Sequence, residues 1–464
     1  MFDGRGIIMS ILHKAAIEHL LYPAMEYTKG NRIRAKTAVL RKSEAAPGLP
    51  DRQCAALQSL LLDCIRHVPA YRRLHLPASE ILADPRGVLA RSIPVLHKAQ
   101  FRDHAADYLS DAFSPAERIP NCTGGSTGQP VHFFMTRDQV ESYEAARWRG
   151  LSWYGITPGS RSVMVWGNPV ELDANQQRRQ RWREQLLKNR RILSAYDLRA
   201  EDAPQYIRFL NRYQPEYLYG YATALDALAH ILAPHQDKLR VRLKAVVSTS
   251  ETLSPAQAAL FSRVFGCPVA NEYGARDAGI LAYSCPCGGL HLSAENCIIE
   301  VLDPVTFAPL PTGQSGVLAV TDLTNRIQPR LRYLLGDVGA LSAASCPCGR
   351  TLPLLSAIEG REDALLVGRG GALLHGNLIG QLLRPLPFVR AFQFRQHTPR
   401  TATLSLVPMP GGAIDRSAFL PALQRMFPET AITVEQVSSI PPAASGKMRY
   451  AIREFPLSGQ EVRR

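Results

Sequence analysis

Apolar residues recur along the chain at two spacings, and the spacing switches several times. Up to residue 80 the rhythm is helical: Leu57, Leu60, Leu61, Cys64, Ile65 and Val68 share one face of a 3.6-residue repeat, and Pro69 ends the run. A strand-like piece, Ile93 to Leu96, and a polar helix fill the stretch from 85 to 115. From residue 131 short apolar runs alternate with amphipathic ones. Val131 to Thr136, Ser162 to Gly167, Glu216 to Tyr221, Leu243 to Glu251 and Val269 to Gly274 read as strands. Asp138 to Trp153, a basic stretch around 176–191, Glu201 to Tyr213, Ala222 to Leu232 and a segment capped near Ser254 read as helices. Alternation of this kind predicts parallel sheets in an α/β protein. Between Ile298 and Val338 the runs shorten and turns multiply, which predicts a small β region. After Gly360-Arg361-Glu362-Asp363 the chain alternates strand (Thr403 to Val407, Ile432 to Val437) with helix (Asp415 to Met426). The expected division is a large N-terminal domain over 1–362 and a small α+β domain over 363–464, hinged at Asp363.

With 464 residues, 46% of them hydrophobic, the chain has room for such a pair of domains and a substantial core. No apolar run reaches the ~18 residues of a membrane span, and the start lacks the pattern of a secretory signal. A cytoplasmic enzyme is therefore expected. The net charge of +14 suits anionic ligands, an acidic partner or a membrane surface. Basic residues concentrate between Gln176 and Arg191, where no aromatic ladder or nucleic-acid motif accompanies them, so a solvated helix face is favoured over nucleic-acid binding. Ile8 to Arg41, apolar and then basic, could rest on a membrane surface. A homodimer is the commonest assembly for such a chain.

One stretch stands apart: Asn121-Cys122-Thr123-Gly124-Gly125-Ser126-Thr127-Gly128-Gln129-Pro130. Its glycines let backbone approach a ligand closely, and consecutive N–H groups with hydroxyls between them form a nest for phosphate oxygens. No lysine follows Gly128, so this is not the G-x-x-x-x-G-K-[ST] loop. A plain tight turn between two strands is the other reading.

Further motifs follow in order: Asn271-Glu272-Tyr273-Gly274-Ala275-Arg276-Asp277, Arg332-Tyr333-Leu334-Leu335-Gly336-Asp337, Gly360 to Asp363, and Pro442-Ala443-Ala444-Ser445-Gly446-Lys447-Met448-Arg449. From Ser110 to Arg449 this set resembles the adenylate-forming (acyl-CoA synthetase-like) superfamily, in its phenylacetate–coenzyme A ligase and CapK-like branch. Leu193 to Asp197 and Pro215 to Tyr221 are similar to the CapK-like group. The resemblance implies that ATP activates a carboxylic acid as an acyl-adenylate with release of pyrophosphate, and that coenzyme A or an amine then takes the acyl group. It implies that Thr123, Gly124, Gly125, Ser126, Thr127 and Gly128 hold the β- and γ-phosphates, and that Tyr273, flanked by Glu272 and Gly274, stacks on adenine. Asp337 would bind the ribose hydroxyls and Arg361 the ribose or phosphate. Asp277 stands where the family carries a glutamate for Mg²⁺. Lys447 would neutralise charge developing on the α-phosphate. Two departures are visible: the shorter Asp277, and Gln129 in place of the lysine common in relatives. Ser250 and Glu251, within Ser248 to Glu251, fall where relatives carry a turn near the adenine and acyl pocket. Trp166 to Asn168 and Tyr219 to Tyr221 are the other expected walls, suited to an aryl or medium-length acid.

Four of the nine cysteines lie in two copies of one pentapeptide, Ser284-Cys285-Pro286-Cys287-Gly288 and Ser345-Cys346-Pro347-Cys348-Gly349. Brought together, the pairs would make the tetrahedral thiolate set that structural Zn²⁺ prefers, with His291 as an alternative to one thiolate. Relatives in the branch carry a similar cysteine and histidine set, which supports zinc. Four reduced, buried thiols are the plainer reading. The resulting expectation is an acid–thiol ligase using ATP, Mg²⁺ and coenzyme A, with structural zinc. An acid–amine ligase of the CapK type and a non-catalytic nucleotide-binding relative are the alternatives.

Overall fold

A computed structural model of the chain describes residues 12–123, 130–166, 182–195, 198–383, 386–409, 412–441 and 449–457. Its strands, in chain order, are β1 (Ile119–Cys122), β2 (His132–Met135), β3 (Ser162–Trp166), β4 (Arg190–Ser194), β5 (Tyr217–Tyr221), β6 (Ala245–Thr249), β7 (Val269–Ala275), β8 (Gly279–Ser284), β9 (Leu290–Leu292), β10 (Cys297–Leu302), β11 (Gly316–Asp322), β12 (Tyr333–Ser342), β13 (Leu354–Arg361), β14 (Leu365–Val367), β15 (Leu373–His375), β16 (Val389–Thr398), β17 (Thr401–Pro408), β18 (Ala431–Gln436) and β19 (Ala451–Arg453).

Eleven of them form one sheet in the order β10-β11-β12-β13-β9-β8-β7-β6-β5-β3-β4. Strands β4, β3, β5, β6 and β7 run parallel, and every pairing from β7 to β10 is antiparallel. The turn-rich stretch after Ile298 is the β region that the sequence pattern predicts. It is the antiparallel half of the same sheet, joined to the parallel half by the β7–β8 hairpin. Gly274 makes that hairpin this tight: a Cβ there would collide with the carbonyl of Gly279.

Helices cover both faces of the parallel half, as buried strands require. Ala203–Tyr213, Ala222–Leu232 and Pro255–Phe265 bury Leu210, Leu225, Leu228 and Phe261 against Val163, Val165, Leu218 and Val246. On the other face Arg137–Ser152 sets Ala145, Ala146 and Leu151 against Tyr217, Tyr219, Val247 and Tyr283. The helix Leu49–His67 places Leu57, Leu60, Leu61 and Cys64 in a second core with strands of the antiparallel half. The strand-like Ile93 to Leu96 contributes a single bridge, Leu96 to Tyr333. Helix boundaries agree closely with the sequence pattern, and Ala222–Leu232 coincides with it.

Beyond residue 363 a four-stranded sheet, β18-β17-β16-β19, carries its own core around Phe392, Phe394, Leu404, Phe419 and Phe427. The stretch read as one helix over 415–426 is a 3₁₀ turn, Arg416–Ala418, followed by the helix Leu420–Met426. Among the described residues no helix is long and apolar enough to cross a membrane.

The helix Arg137–Ser152 approaches the sheet through Gly150, whose missing side chain makes room for the Tyr283 ring. Gly150→Val should lower stability by about 1–3 kcal/mol through overpacking, read as a shifted midpoint in urea unfolding with an unchanged slope.

Candidate active site

Ligands in open α/β sheets collect beyond the carboxyl ends of parallel strands. Here those ends carry Trp166, Tyr221, Thr249 and Tyr273. The strands β7, β12 and β13 bring three of the expected nucleotide contacts together. The Tyr273 hydroxyl donates to Asp337 Oδ2 at 2.9 Å, and Arg361 Nη1 donates to Asp337 Oδ1 at 2.8 Å and to the Leu335 carbonyl at 3.1 Å. Gly336, at φ +73°, lets the chain turn under the guanidinium, where a Cβ would lie 2.9 Å from Arg361 Nη2. Burial and then the Asp337 charge push the Tyr273 phenol well above its ordinary range, so it stays a neutral donor.

Alternation along β7 sends the neighbouring Glu272 the opposite way. It accepts from the Tyr219 hydroxyl at 2.7 Å and from Thr249 Oγ1 at 3.0 Å, and Arg147 Nε lies 3.4 Å from its other oxygen. Glu272, expected beside the nucleotide, is instead the buried anchor of a polar cluster against the helix Arg137–Ser152. Glu251 is likewise occupied elsewhere. Its carboxylate accepts from the backbone and hydroxyl of Thr223, each at 2.8 Å, and holds the start of Ala222–Leu232. Ser250 precedes it in a left-handed turn at φ +66°.

Trp166 stacks on Tyr221 at 3.9 Å between ring centroids. Together with Tyr219, Met164, Trp148 and Arg147, Trp166 lines a cavity of about 430 Å³ on the Glu272 side of the sheet. Two of the expected acyl-pocket walls therefore meet, while Ser248 to Glu251 does not border this cavity. Gly167 and Asn168 lie outside the described residues.

Thr123 closes the neck of the glycine loop. Its N–H donates to the Val131 carbonyl and its hydroxyl accepts from the Val131 N–H, both at 2.9 Å. Arg276 Nη1 donates to the Cys122 carbonyl at 3.2 Å and ties the loop to the β7–β8 turn. Gly124, Gly125, Ser126, Thr127, Gly128 and Lys447 lie outside the described residues.

Asp277 departs from its expected role. It is 2% exposed, accepts the Tyr333 hydroxyl at 2.8 Å and faces Lys98 Nζ at 3.3 Å. Burial alone would raise its pKa, but Lys98, Arg330 and the Tyr333 hydrogen bond outweigh that and hold it below the ordinary carboxylate value. This is the countercharge of two cations, not the open oxygen donor that Mg²⁺ needs. Arg330 is fully buried with its carbon centre 4.8 Å from the Phe133 ring centroid and 5.3 Å from that of Phe101. None of its three nitrogens has a hydrogen-bond partner among the described residues, so ring faces and the Asp277 charge stabilise it. Tyr333 and Arg330 stand in or beside a motif already noticed. Lys98, on a short helix far before Asp277 in the chain, gave no signal in the sequence.

The cysteine pairs meet. Cys285, His291, Cys346 and Cys348 place their donor atoms within 4.8 Å of one another. Cys285 Sγ is 3.5 Å from Cys346 Sγ, and Cys348 Sγ is 3.2 Å from His291 Nε2. His291 Nδ1 lies 3.4 Å from the Leu352 carbonyl, which favours the tautomer whose Nε2 can bind metal. Gly289 leaves space beside the set, since a Cβ there would sit 2.7 Å from Cys346 Sγ. Three thiolates and one imidazole fit tetrahedral Zn²⁺. Cys287 is exposed and outside this group, so among the described residues His291 stands where the two-pair reading had a fourth thiolate.

Known proteins share this fold. A solved structure of 2-hydroxyisobutyryl-CoA ligase, in the postadenylation state with 2-HIB-AMP, superposes with a TM-score of 0.67 at 20% identity, covering 89% of this chain and 91% of that one. The chain has the adenylate-forming fold. ATP-bound MatB from Rhodopseudomonas palustris shares that fold with a TM-score of 0.51 at 18% identity, over 72% of this chain and 66% of its own. In sequence the chain is 26% identical to a phenylacetate-coenzyme A ligase of Thermus thermophilus over 69% of its length and 73% of the relative's. It is 25% identical to Protein CapK of Staphylococcus aureus over 72% and 74%. No family model matches the chain. The fold brings Tyr273, Asp337 and Arg361 into one hydrogen-bonded group.

Two outcomes are expected. Cys346→Ser should lower zinc content and melting temperature, whereas Cys287→Ser should leave bound zinc unchanged by atomic absorption. Asp277→Asn should destabilise the protein at neutral pH. A carboxylate with a depressed folded pKa stabilises above its unfolded value of ~4 and loses that contribution as pH falls through the folded value. The variant's urea midpoint should therefore vary less with pH below ~4 than the wild type's.

Proposed function

We propose that the protein activates a carboxylic acid with ATP as an acyl-adenylate and transfers the acyl group to the thiol of coenzyme A. The observation that carries this reading is the Tyr273–Asp337–Arg361 arrangement. A ring, a carboxylate with two oxygens and a guanidinium converge in the fold that relatives use to hold an adenylate. On binding, ribose hydroxyls would exchange for the Tyr273 and Arg361 donors on Asp337, and the freed Arg361 could face phosphate.

The reacting carboxylate attacks the α-phosphorus, and pyrophosphate leaves with the P–O bond electrons. Two anions meet in this step, so donors must be in place beforehand. The glycine loop and Lys447 are the proposed donors, and Arg276 fixes the loop's neck to the nucleotide strand. Trp166, at the carboxyl end of its strand, and Tyr219 beside it are the proposed contacts for the acid's body, and their rings suit an aryl or medium-length chain. A pivot at Asp363 would then exchange one face of the small domain for another so that the thiol can attack the acyl carbon. Residues 1–362 and 363–464 are the two proposed bodies. Zn²⁺ held by Cys285, His291, Cys346 and Cys348 would fasten β8 and β9 to the β12–β13 connection, with no position open for substrate.

A second reading, transfer to an amine, is favoured by the similarity to CapK. Purified protein given MgATP, a panel of aryl and fatty acids, and either coenzyme A or amines distinguishes the acceptors. Multiple turnovers of thioester formation only with coenzyme A are the expected result. Turnover with amines alone would replace the thiol reading. Lys447→Ala should slow adenylation by ~10²-fold or more while leaving the melting temperature unchanged, because the lysine acts on charge that develops in the transition state.

A further inference from the structure

Two features of the sequence find no place in the chemistry above: the apolar-then-basic N-terminal stretch and the basic segment ending near Arg191. The structure places them side by side. His13 Nε2 lies 3.3 Å from the Leu186 carbonyl, so the helical segment 12–29 touches the helical stretch 182–188.

Segment 12–29 is amphipathic in an unusual sense, because its outer face is apolar too. Ile17 is buried against the body of the protein, while Leu12, Leu20 and Tyr27 are 62%, 68% and 88% exposed. They recur about every two helical turns, which places them along one side. The neighbouring stretch adds Trp182, 63% exposed, and Leu186, 40% exposed. Half of the ten large apolar side chains exposed among the described residues therefore lie on these two touching segments. Isolated exposed leucines need no explanation, but this concentration does.

The charge around them has one sign. Leu12 to Ser43 holds seven lysines and arginines against two glutamates, and Trp182 to Arg191 holds four against one. Lys29, Arg32, Arg41, Lys42 and Arg183 are exposed. Exposed Leu, Tyr and Trp flanked by Lys and Arg is the composition of a helix that lies in the plane of an anionic membrane. A duplex of nucleic acid would use the cations but give no role to Leu12, Leu20 and Tyr27.

We infer that this face docks the enzyme on an anionic lipid surface, with Leu12, Leu20, Tyr27 and Trp182 entering the interface and the surrounding cations meeting lipid headgroups. Docking goes beyond the ligase reading and does not depend on it. The cavity beside Trp166 is also walled by Ile17, Met25 and Leu187 from these two segments, so the docked face lies over that cavity.

Flotation of the full chain with vesicles of phosphatidylglycerol and phosphatidylcholine, against phosphatidylcholine alone, tests the inference. Binding is expected only to the anionic vesicles, weakening as salt is raised, with a blue shift of Trp182 emission that Trp182→Phe removes. Leu20→Asp with Tyr27→Asp should reduce vesicle binding at least tenfold while leaving the melting temperature and adenylation of a water-soluble acid unchanged. Arg32→Gln with Arg183→Gln should weaken binding in the same direction without touching the apolar contacts. Equal binding to neutral vesicles, or none to either, would overturn the inference. Concentration-dependent self-association abolished by Leu20→Asp would instead make this face a contact between two copies. Tighter binding to random-sequence RNA than to vesicles would also reject the lipid surface.

Discussion

Strand β7 has one parallel and one antiparallel neighbour, and most of the molecule follows from that. On its β6 side lie the strands that helices must cover on both faces. On its β8 side a tight hairpin reverses direction and starts the antiparallel half. Because residues alternate along a strand, two successive side chains serve different purposes. Tyr273 faces Asp337 and Arg361, and Glu272 faces Tyr219, Thr249 and Arg147. A one-residue slip in β7 would break both sets: in one direction Glu272 would lie against Asp337 and Asn271 beside Arg147, in the other Tyr273 would lie beside Arg147 and Gly274 against Asp337. Register here is set by chemistry on both faces, which explains why so polar a strand can be central.

Buried charge near this strand is balanced by protein groups. Asp277 faces Lys98 and lies near the buried Arg330, whose guanidinium has aromatic rings in place of hydrogen-bond acceptors. Removing a buried partner of this kind leaves an uncompensated ion, which costs far more than losing a surface pair. Farther along the antiparallel half, the Cys285, His291, Cys346 and Cys348 set links two connections that meet at the short β9–β13 pairing. Metal there would stiffen the part of the sheet that carries Asp337 and Arg361 on β12 and β13.

Much of this was legible in the sequence, for physical reasons that differ by region. Helix Ala222–Leu232 and strands β3, β5 and β7 were readable because burial against a neighbour imposes a pattern on the residues. The β region after Ile298 was legible, but its membership of the same sheet was not, because its short, buried strands carry little alternation. Pairing such as that of His291 with Leu354, distant in the chain, leaves no local mark. Tyr273, Asp337 and Arg361 were expected together from motif order, and the structure joins them by hydrogen bonds. For Glu251 and Asp277 sequence shows a carboxylate but not which protein groups face it. Thr223 holds the first, and Lys98 with Tyr333 the second. His291 was one of two candidates for the fourth metal donor, and only folding could separate it from the exposed Cys287.

The central claim is that the site proposed at Tyr273, Asp337 and Arg361 forms an acyl-adenylate reversibly. Exchange of labelled pyrophosphate into ATP isolates that half-reaction, since neither coenzyme A nor an amine is needed. The account predicts exchange that depends on an added acid and falls by ~10²-fold or more in Asp337→Ala, which loses its ribose contact and the Arg361 partner. Tight ATP binding without exchange for any acid would contradict it, and would leave a nucleotide-binding protein on the same fold.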